Sequence, residues 1–188
     1  MSHSDKTELF KKETIKFNKK HNLISKKNTE KIIDEAIEEA SALTKHLKQY
    51  KNILDIGTGS GLPGIPLAIF NENKNIYLSE KNNKKNYHLK KIIKLLEIEN
   101  AITVGGANKN TKINKKVDCV VTKAFASTKK TIDIASSFLE KPFTLMLLKG
   151  KLKTINEEIA EANISKENYE IIKIENEKEK HILKIENE

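Results

Sequence analysis

The chain contains no arginine and no tryptophan, and it has one cysteine, three prolines and seven glycines among 188 residues. With one cysteine, Cys119, no disulfide can form within the chain, and its apolar neighbours favour a small buried side chain over a nucleophile. No apolar run approaches the length of a membrane span, and residues 1–5 lack the apolar core of a signal peptide. The five histidines show no metal-ligand spacing. We therefore expect a soluble cytoplasmic protein with no metal site and no membrane anchor.

Lysine carries all the positive side-chain charge of this basic chain. The formal net charge is +9, and because arginine is absent, lysine supplies all 35 basic side chains. A basic surface favours a polyanionic partner such as nucleic acid. The chain is also rich in asparagine and isoleucine, so part of the lysine content reflects a general compositional bias. The charge alone therefore suggests a nucleic-acid partner without identifying it.

Apolar spacing predicts two amphipathic helices before residue 50, followed by strands that alternate with helices. The first helix covers residues 6–21. The second is capped by Asn28 or Thr29 and has apolar positions from Ile33 to Leu47. The predicted strands are a run ending at Ile56, Asn75–Ser79, Ala101–Val104, Val117–Thr122, Phe143–Leu148, Tyr169–Ile174 and Ile182–Ile185. The intervening helices are Pro63–Phe70, 83–97, Thr131–Leu139 and 153–162. This order predicts an α/β protein with a parallel sheet, closed by the last two strands as an antiparallel pair.

A glycine-rich turn follows the first predicted strand, within the stretch Asn52–Ile69. Gly57, Gly59 and Gly61 alternate between the strand and the next helix, a layout that lets a backbone approach a nucleotide closely. The third glycine of a dinucleotide fingerprint would fall at Leu62, which disfavours a nicotinamide-dependent dehydrogenase. The pattern D-x-G-x-G-x-G instead resembles the first motif of Rossmann-like methyltransferases that use S-adenosylmethionine.

Three further positions are predicted to lie around a bound nucleoside. Asp55, among apolar neighbours, is predicted to be buried and to bond either the turn amides or an amino group of the cofactor. Glu80 follows the second strand, where an acid can accept both ribose hydroxyls, although a surface glutamate in a lysine-rich loop would look the same. The loop after the third strand, with Ala107 and Asn108, either presents backbone groups to the base edge or forms an ordinary glycine turn.

Lysines are predicted to line the carboxyl edge of the sheet, where ligands bind in open α/β folds. Lys123 follows the fourth strand and is placed to meet a substrate phosphate or a negatively charged group of the cofactor. The predicted RNA-binding residues along this rim are Lys84, Lys85, Lys123, Lys149 and Lys151.

Longer segments make the chain similar to the RsmG (GidB) methyltransferase family. The matching segments are Phe17–Ser25, Asp55–Ala68, Glu80–Leu89, Thr122–Ala126, Leu148–Lys151 and Lys180–Lys184. They span nearly the whole chain, and the run Gly-Leu-Pro-Gly-Ile-Pro is more specific than the glycine turn alone. The resemblance implies a cytoplasmic enzyme that uses S-adenosylmethionine to methylate N7 of a guanine in the 530 loop of the decoding region of 16S ribosomal RNA. The substrate is either the free RNA or the ribosomal particle, and we expect a monomer.

The resemblance also implies a fold and a set of site residues. The fold is an α/β, Rossmann-like class I methyltransferase fold, with a seven-stranded mostly parallel sheet, a closing antiparallel hairpin and an N-terminal helical cap. Residues 1–50 are the predicted helical extension packed on the core, and residues 51–188 are the predicted cofactor-binding domain. By position, family cofactor contacts fall on Gly57, Leu62, Ala107, Asn108 and Lys123, with Glu80 at the ribose and Lys84 on the substrate side. The full predicted cofactor-binding set is Asp55, Gly57, Gly59, Gly61, Leu62, Glu80, Ala107, Asn108 and Lys123.

The chain departs from the family pattern in three places. The family usually has arginine where this chain has Lys123 and Gly106, and a lysine keeps the charge but loses the planar fork. A helix of the N-terminal extension usually carries a histidine and an aspartate, where this chain has Ala36 and Glu39.

No catalytic residue is predicted, because guanine N7 has an in-plane lone pair and carries no proton. Catalysis then depends on holding the two reactants in line. Two alternatives stay open. The first is a methyltransferase for a small molecule, which would have a closed apolar pocket. The second is an RNA-binding protein that keeps the fold but has lost turnover.

Overall fold

Strands and helices alternate along the described residues, which are 1–108, 110–175 and 179–187 of this computed structural model. The helices are α1 (His3–His21), α2 (Thr29–Thr44), α3 (Gly64–Phe70), α4 (Asn83–Leu95), α5 (Thr128–Ser136) and α6 (Leu152–Ala162). The strands are β1 (Asn52–Ile56), β2 (Asn75–Ser79), β3 (Ala101–Val104), β4 (Cys119–Lys123), β5 (Phe143–Lys149), β6 (Tyr169–Lys173) and β7 (His181–Asn187). The predicted domain 51–188 also includes residues 109, 176–178 and 188, which lie outside the described residues.

The seven strands form one sheet in the order β3-β2-β1-β4-β5-β7-β6. The first five strands are parallel, whereas β7 runs antiparallel to both β5 and β6. This arrangement confirms the predicted seven-stranded, mostly parallel sheet with a closing hairpin. The strand order reverses between β1 and β4, so a crevice opens beyond the carboxyl ends of these two strands.

The two faces of the sheet are covered by different helices. Successive residues of a strand point to opposite faces, and in a parallel sheet both faces are buried. In β1, Ile53 packs with the cluster that contains α1 to α4, and Leu54 packs with the cluster that contains α5 and α6. Both side chains have no exposed surface. Because β1 is buried on both faces of the sheet, nearly all of its residues have to be apolar.

The N-terminal helices share the hydrophobic core of the sheet. Phe10 of α1 and Ile33 of α2 are fully buried in the same cluster as Ile53. Asn18 fixes the connection between the two helices, because its Oδ1 accepts from the Ile24 amide at 2.9 Å. The division of the chain at residue 50 stays a prediction.

The observed ends of several elements differ from the predicted ones by one to three residues. Helix α5 begins at Thr128 rather than at Thr131, because Ser127 caps it by accepting a bond from the Lys130 amide. Helix α3 begins one residue after Pro63. Helix α4 ends before Glu97, whose φ of +50° does not continue a helix.

Candidate active site

The turn after β1 is a left-handed backbone segment attached to the end of β2. Gly57 and Gly61 have φ values of +72° and +96°, which side-chain-bearing residues rarely adopt. The amides of Gly57 and Thr58 donate to the Ser79 carbonyl at 2.9 and 3.1 Å. The ends of β1 and β2 are therefore held together without any side chain between them.

The three glycines of the turn face different surroundings. An added Cβ at Gly57 would collide with the ring of Phe125, and one at Gly61 would lie 2.6 Å from Cγ1 of Ile65. At Gly59 the nearest atoms would be 3.8 and 3.9 Å away, the carbonyl oxygen of Gly57 and Nζ of Lys85. Gly61 thus permits close packing on α3, and Gly57 permits the approach of Phe125. A Cβ at Gly59 would be in ordinary van der Waals contact, so only its φ of +62° favours glycine there.

A cleft of about 520 Å³ opens at the carboxyl ends of β1, β2 and β4. Its lining includes four predicted cofactor-binding residues, Gly57, Glu80, Ala107 and Asn108, and one predicted RNA-binding residue, Lys85. A smaller hollow of about 240 Å³ lies between Val117 and Phe138. Those residues flank the amino ends of β4 and β5, so this hollow is on the opposite edge of the sheet from the crevice.

Glu80 is a nearly buried carboxylate in the wall of the cleft, with 7% of its surface exposed. Its Oε1 accepts from the Asn82 amide at 2.7 Å, which starts the turn into α4. Its Oε2 lies 4.0 Å from Nζ of Lys85. The carboxylate is therefore held rigidly and keeps one oxygen for a ligand, as the ribose-binding prediction requires, and that role stays a prediction.

Asp55 is fully buried and does not line the cleft. Its Oδ2 accepts from the Gly64 amide at 2.9 Å, and its Oδ1 has no hydrogen-bond partner within the described part of the chain. Burial, with a smaller contribution from the nearby charge of Glu80, raises the pKa of this carboxyl to about 7. Of the two partners expected for Asp55, the structure shows a backbone amide, in the first turn of α3, and a contact with the cofactor stays a prediction.

Leu62 also lies away from the cleft, because its side chain packs against the core cluster of α1 to α4. Any cofactor contact of Leu62 therefore has to come from its backbone.

The loop after β3 is closed by its own hydrogen bonds. The Asn108 amide donates to Oγ1 of Thr111 at 3.0 Å, and Nδ2 of Asn108 donates to the Gly106 carbonyl at 2.7 Å. The backbone amide and the side-chain amide of Asn108 thus donate within the loop. The backbone of Ala107 is therefore the better candidate to form hydrogen bonds with the edge of a base. A Cβ at Gly106 would lie 2.9 Å from Cβ of Lys81, so an arginine there would require Lys81 to move.

Lys123 does not reach the cleft, because its amine pairs with Oε2 of Glu39 on α2. Oε1 of the same carboxylate accepts from Nζ of Lys180 at 2.6 Å. Glu39 is only 3% exposed, and each of its oxygens has a lysine amine as a partner, which compensates the cost of burying its charge. The predicted position of Lys123 at the end of β4 is right, but the predicted contact of its amine with cofactor or phosphate is not what the structure shows.

Lys149 is likewise held inside the protein. Its Nζ lies 2.6 Å from Oε2 of Glu158 and 3.4 Å from the Ala126 carbonyl, and the Thr128 amide also donates to Glu158. This network joins β5, α5 and α6, so the RNA contact predicted for Lys149 is not matched by its position. Lys151 is 69% exposed and lies 4.0 Å from a carboxylate.

Three charged or aromatic residues of the cleft were not predicted from the sequence: Lys81, Phe125 and Lys130. Lys81 directly follows Glu80, and Lys130 lies in the first turn of α5. Phe125 follows Ala124, whose φ of +49° turns the chain sharply after β4 and brings the ring onto Gly57. For Lys81 and Phe125, a position two residues after a strand end was the available signal. Lys84 is exposed in the first turn of α4 but is not part of the cleft lining.

Other candidate features are absent from the described ranges. They contain no group of three or more histidine, cysteine, aspartate or glutamate residues that could hold a metal ion. No helix in these ranges is long and apolar enough to cross a bilayer. Cys119 is fully buried, and burial raises the pKa of its thiol, which suits a packing residue.

The sheet order, the glycine turn and the cleft define the class of protein: a Rossmann-like class I methyltransferase. The crystal structure of M. jannaschii TYW2 in complex with AdoMet has the same fold, with a TM-score of 0.57 and 21% identity. That similarity covers 80% of this chain and 74% of the other.

Sequence comparison identifies the family. The profile of the GidB family, described as rRNA small subunit methyltransferase G, matches residues 3–183. The chain is 37% identical over 172 residues to the Ribosomal RNA small subunit methyltransferase G of Brachyspira hyodysenteriae, which covers 90% of this chain and 83% of that protein. The protein of the same name from Shewanella putrefaciens is 30% identical over 171 residues, covering 90% and 82%. The chain therefore belongs to the rRNA small subunit methyltransferase G family, and the predicted family, fold and enzyme class, a methyltransferase dependent on S-adenosylmethionine, are confirmed.

Proposed function

We propose that this protein transfers a methyl group from S-adenosylmethionine to N7 of a guanine in the 530 loop of 16S ribosomal RNA. The observation that carries the proposal is the cleft, which combines a bare glycine turn, a nearly buried acid and exposed lysines at the carboxyl edge of a methyltransferase sheet. Family membership supports the RNA substrate, because the curated relatives are named for small-subunit ribosomal RNA.

The residues of the cleft fit the cofactor. When bound, S-adenosylmethionine supplies an electrophilic methyl group on a sulfonium. Glu80 and Ala107 both line the cleft, so Oε2 of Glu80 would accept the ribose hydroxyls and the backbone of Ala107 would bond the base edge. At Gly59 the turn offers only backbone, so a ligand would approach it without meeting a side chain of that residue.

The chain's part in the chemistry is to position the base. Guanine N7 needs no deprotonation, so no side chain has to act as a general base. The ring of Phe125 lies in the cleft, and an aromatic face there can stack on the target base and hold it in line with the methyl group. Positioning of this kind can supply several kcal/mol of the barrier, on the order of 7 kcal/mol for well-oriented reactants.

The charge of the rim favours RNA over a small molecule. Lys81, Lys85 and Lys130 line the cleft, which is open, whereas a small-molecule enzyme was expected to have a closed apolar pocket. Binding that depends on phosphate contacts weakens steeply as salt rises.

We further propose that the protein acts as a monomer in the cytoplasm, where ribosomal RNA is found. Residues 1–50 and 51–188 would act as one unit, since Phe10 and Ile33 are buried in the same cluster as β1.

Methylation of defined substrates tests the proposal. The protein is incubated with S-adenosylmethionine and either free 16S RNA or small ribosomal subunits from a strain lacking the modification. Borohydride and aniline cleavage followed by primer extension should then show a new stop at one guanine of the 530 loop. If calorimetry shows that the protein binds the cofactor but the pattern of primer-extension stops is unchanged with both substrates, the proposed activity is wrong. A protein that binds RNA but not the cofactor would instead be a fold that has lost turnover.

A further inference from the structure

A cluster of aromatic rings lies where α1 packs against α4, outside the cleft. The ring of Phe17 is at its centre, with centroid distances of 4.2 Å to His21, 4.7 Å to His88 and 6.4 Å to Tyr87. The interplanar angles are 32° to 33°, so the rings are closer to stacked than to edge-on. Tyr87 is 65% exposed, whereas His88 is 1% exposed. The cluster therefore has a buried inner part and an open outer face.

The inner part of the cluster holds the outer rings in place. Nε2 of His88 lies 3.3 Å from Oγ1 of Thr14, which is itself fully buried between the two helices. One residue after Phe17, Asn18 is also buried and bonds the loop that follows α1. The backbones that carry the rings are thus fixed by two packed helices, so a planar ligand would not have to order the helices when it binds.

The surroundings of the rings carry mostly positive charge. Glu13 of α1 is a nearby carboxylate, and it is paired with Lys91 at 3.6 Å. The last turn of α1 adds Lys19, Lys20 and His21. Exposed aromatic rings among lysines are the composition of sites for single-stranded nucleic acid, where bases stack and cations follow the phosphates. Helix α4 contains no carboxylate and five lysines, which are Lys84, Lys85, Lys90, Lys91 and Lys94.

The same face of α4 connects the rings to the cleft. Lys84, Tyr87 and Lys91 are spaced by three and four residues, so they share one side of the helix. Lys85, in the same first turn as Lys84, lines the cleft. A strand of RNA leaving the cleft along α4 would meet Lys84 and then Tyr87, within about 5 Å along the helix axis.

We propose that Phe17, His21 and Tyr87 form a stacking platform for an unpaired nucleotide of the RNA substrate, adjacent to the cleft that takes the target base. The platform takes single-stranded RNA, because a base inside a duplex cannot offer its face to a ring. The platform rests on the proposed function for the identity of its RNA. That the ligand is single-stranded nucleic acid is inferred from the aromatic rings and the lysines around them.

Binding of a fluorescein-labelled, unstructured oligoadenylate to the full chain tests the platform. Tyr87→Ala should weaken binding between about fivefold and about a hundredfold, the range expected for loss of one stacked base. Tyr87→Phe keeps the ring and should stay within about twofold of the wild type. Leu95→Ala, which truncates another exposed apolar side chain of α4, is the matched control and should leave binding unchanged.

A salt series separates stacking from charge. Tyr87→Ala should leave the slope of log affinity against log salt unchanged, whereas Lys84→Gln should make it shallower by about 0.7, the value for removing one cation from a phosphate of single-stranded RNA. Three results would overturn the platform: Tyr87→Ala binding like the wild type, Tyr87→Leu binding as well as Tyr87→Phe, or a shallower salt slope for Tyr87→Ala. Because Tyr87 is mostly exposed, thermal unfolding should show all these variants folded.

Failure of the platform and failure of the proposed function give different results. If the wild type methylates 16S RNA and Tyr87→Ala binds oligoadenylate equally well, the platform is wrong and the activity stands. If the wild type binds the oligoadenylate in a Tyr87-dependent way but methylates no ribosomal RNA, the activity is wrong and the platform stands.

Discussion

The strand ends on the two sides of the crevice use their charged side chains in opposite ways. At the end of β2, Glu80 keeps one carboxylate oxygen open to the cleft. At the ends of β4 and β5, Lys123 and Lys149 are paired with Glu39 and Glu158, which come from helices. The first side is available to a ligand, and the second side joins elements of the fold. A charge at the carboxyl end of a strand therefore indicates a site when its partner within the chain is distant, as Lys85 is from Glu80 at 4.0 Å, and not when the two are in close contact, as in the other two pairs.

Removing the open acid should have the largest effect. Glu80→Ala should weaken S-adenosylmethionine binding by more than about a hundredfold, because hydrogen bonds to a charged acceptor contribute about 1.5–3 kcal/mol each and the ribose offers two. Calorimetry measures the affinity. Glu161→Ala, an exposed carboxylate of α6, is the control and should bind like the wild type. Equal affinities of the two variants would mean that Glu80 is not a ligand-binding acid.

The buried acid of β1 should instead affect stability, in a way that depends on pH. The folded-state pKa of Asp55, about 7, lies above the ordinary value of 3.8, so the folded state holds a proton that the unfolded chain has released across this window. This stabilisation is present below about pH 4 and is lost as pH rises to about 7. The unfolding free energy of the wild type relative to Asp55→Asn should therefore fall by about 4 kcal/mol between pH 4 and pH 8.

Urea denaturation across that pH range measures the difference. Glu80→Gln removes a charge that raises the folded-state pKa of Asp55, so in that background the fall should begin at the same pH, end at a lower pH and be smaller. A flat difference between wild type and Asp55→Asn would contradict the buried, proton-binding carboxyl.

On the other side of the crevice, removing the neutralising acid should cost stability. Glu39→Ala leaves the amine of Lys123 without its carboxylate and leaves Lys180 with Glu35 alone, at 3.3 Å. It should lower the unfolding free energy by about 2 kcal/mol, less than for a fully buried pair, because both amines can rehydrate. Glu35→Ala, one turn earlier on α2 and 31% exposed, should cost less than about 1 kcal/mol. If both variants showed the same decrease in stability, Glu39 would be an ordinary surface partner.

The smallest effects should come from single lysines of the rim. Lys130→Gln should make the salt dependence of RNA binding shallower by about 0.7 and weaken binding only several-fold at moderate salt. Lys149→Gln removes the same charge from an internal pair and should leave the salt slope unchanged. If the two variants had the same salt slope, lysines that line the cleft and lysines paired inside the protein would not differ in their contribution to RNA binding.

The features that depend on backbone geometry could be predicted from the sequence. Alternating apolar segments predicted the strands and helices of an α/β sheet, and positive φ values do occur where Gly57, Gly59 and Gly61 were expected to form a turn. The residue at the end of β2 was also identified, since Glu80 lines the cleft. These features are local, and each is decided by a few neighbouring residues.

The contacts that depend on distant side chains could not be predicted. Glu39 and Lys123 are 84 positions apart, and nothing in either segment indicates that α2 turns a carboxylate toward β4. Phe125 was missed for a similar reason, because its place over Gly57 depends on the backbone angle at Ala124. A single sequence shows that such charges and rings exist but not which of them meet.

The unequal charges of α2 and α4 have a consequence before any contact forms. Helix α2 carries five carboxylates and one lysine, whereas α4 carries five lysines and no carboxylate. The protein therefore has an electrical polarity, and a polyanion approaching from any direction exerts a torque that turns the lysine-bearing side toward it. A larger share of diffusive encounters then begins in the productive orientation, and added salt should slow association more than it speeds dissociation.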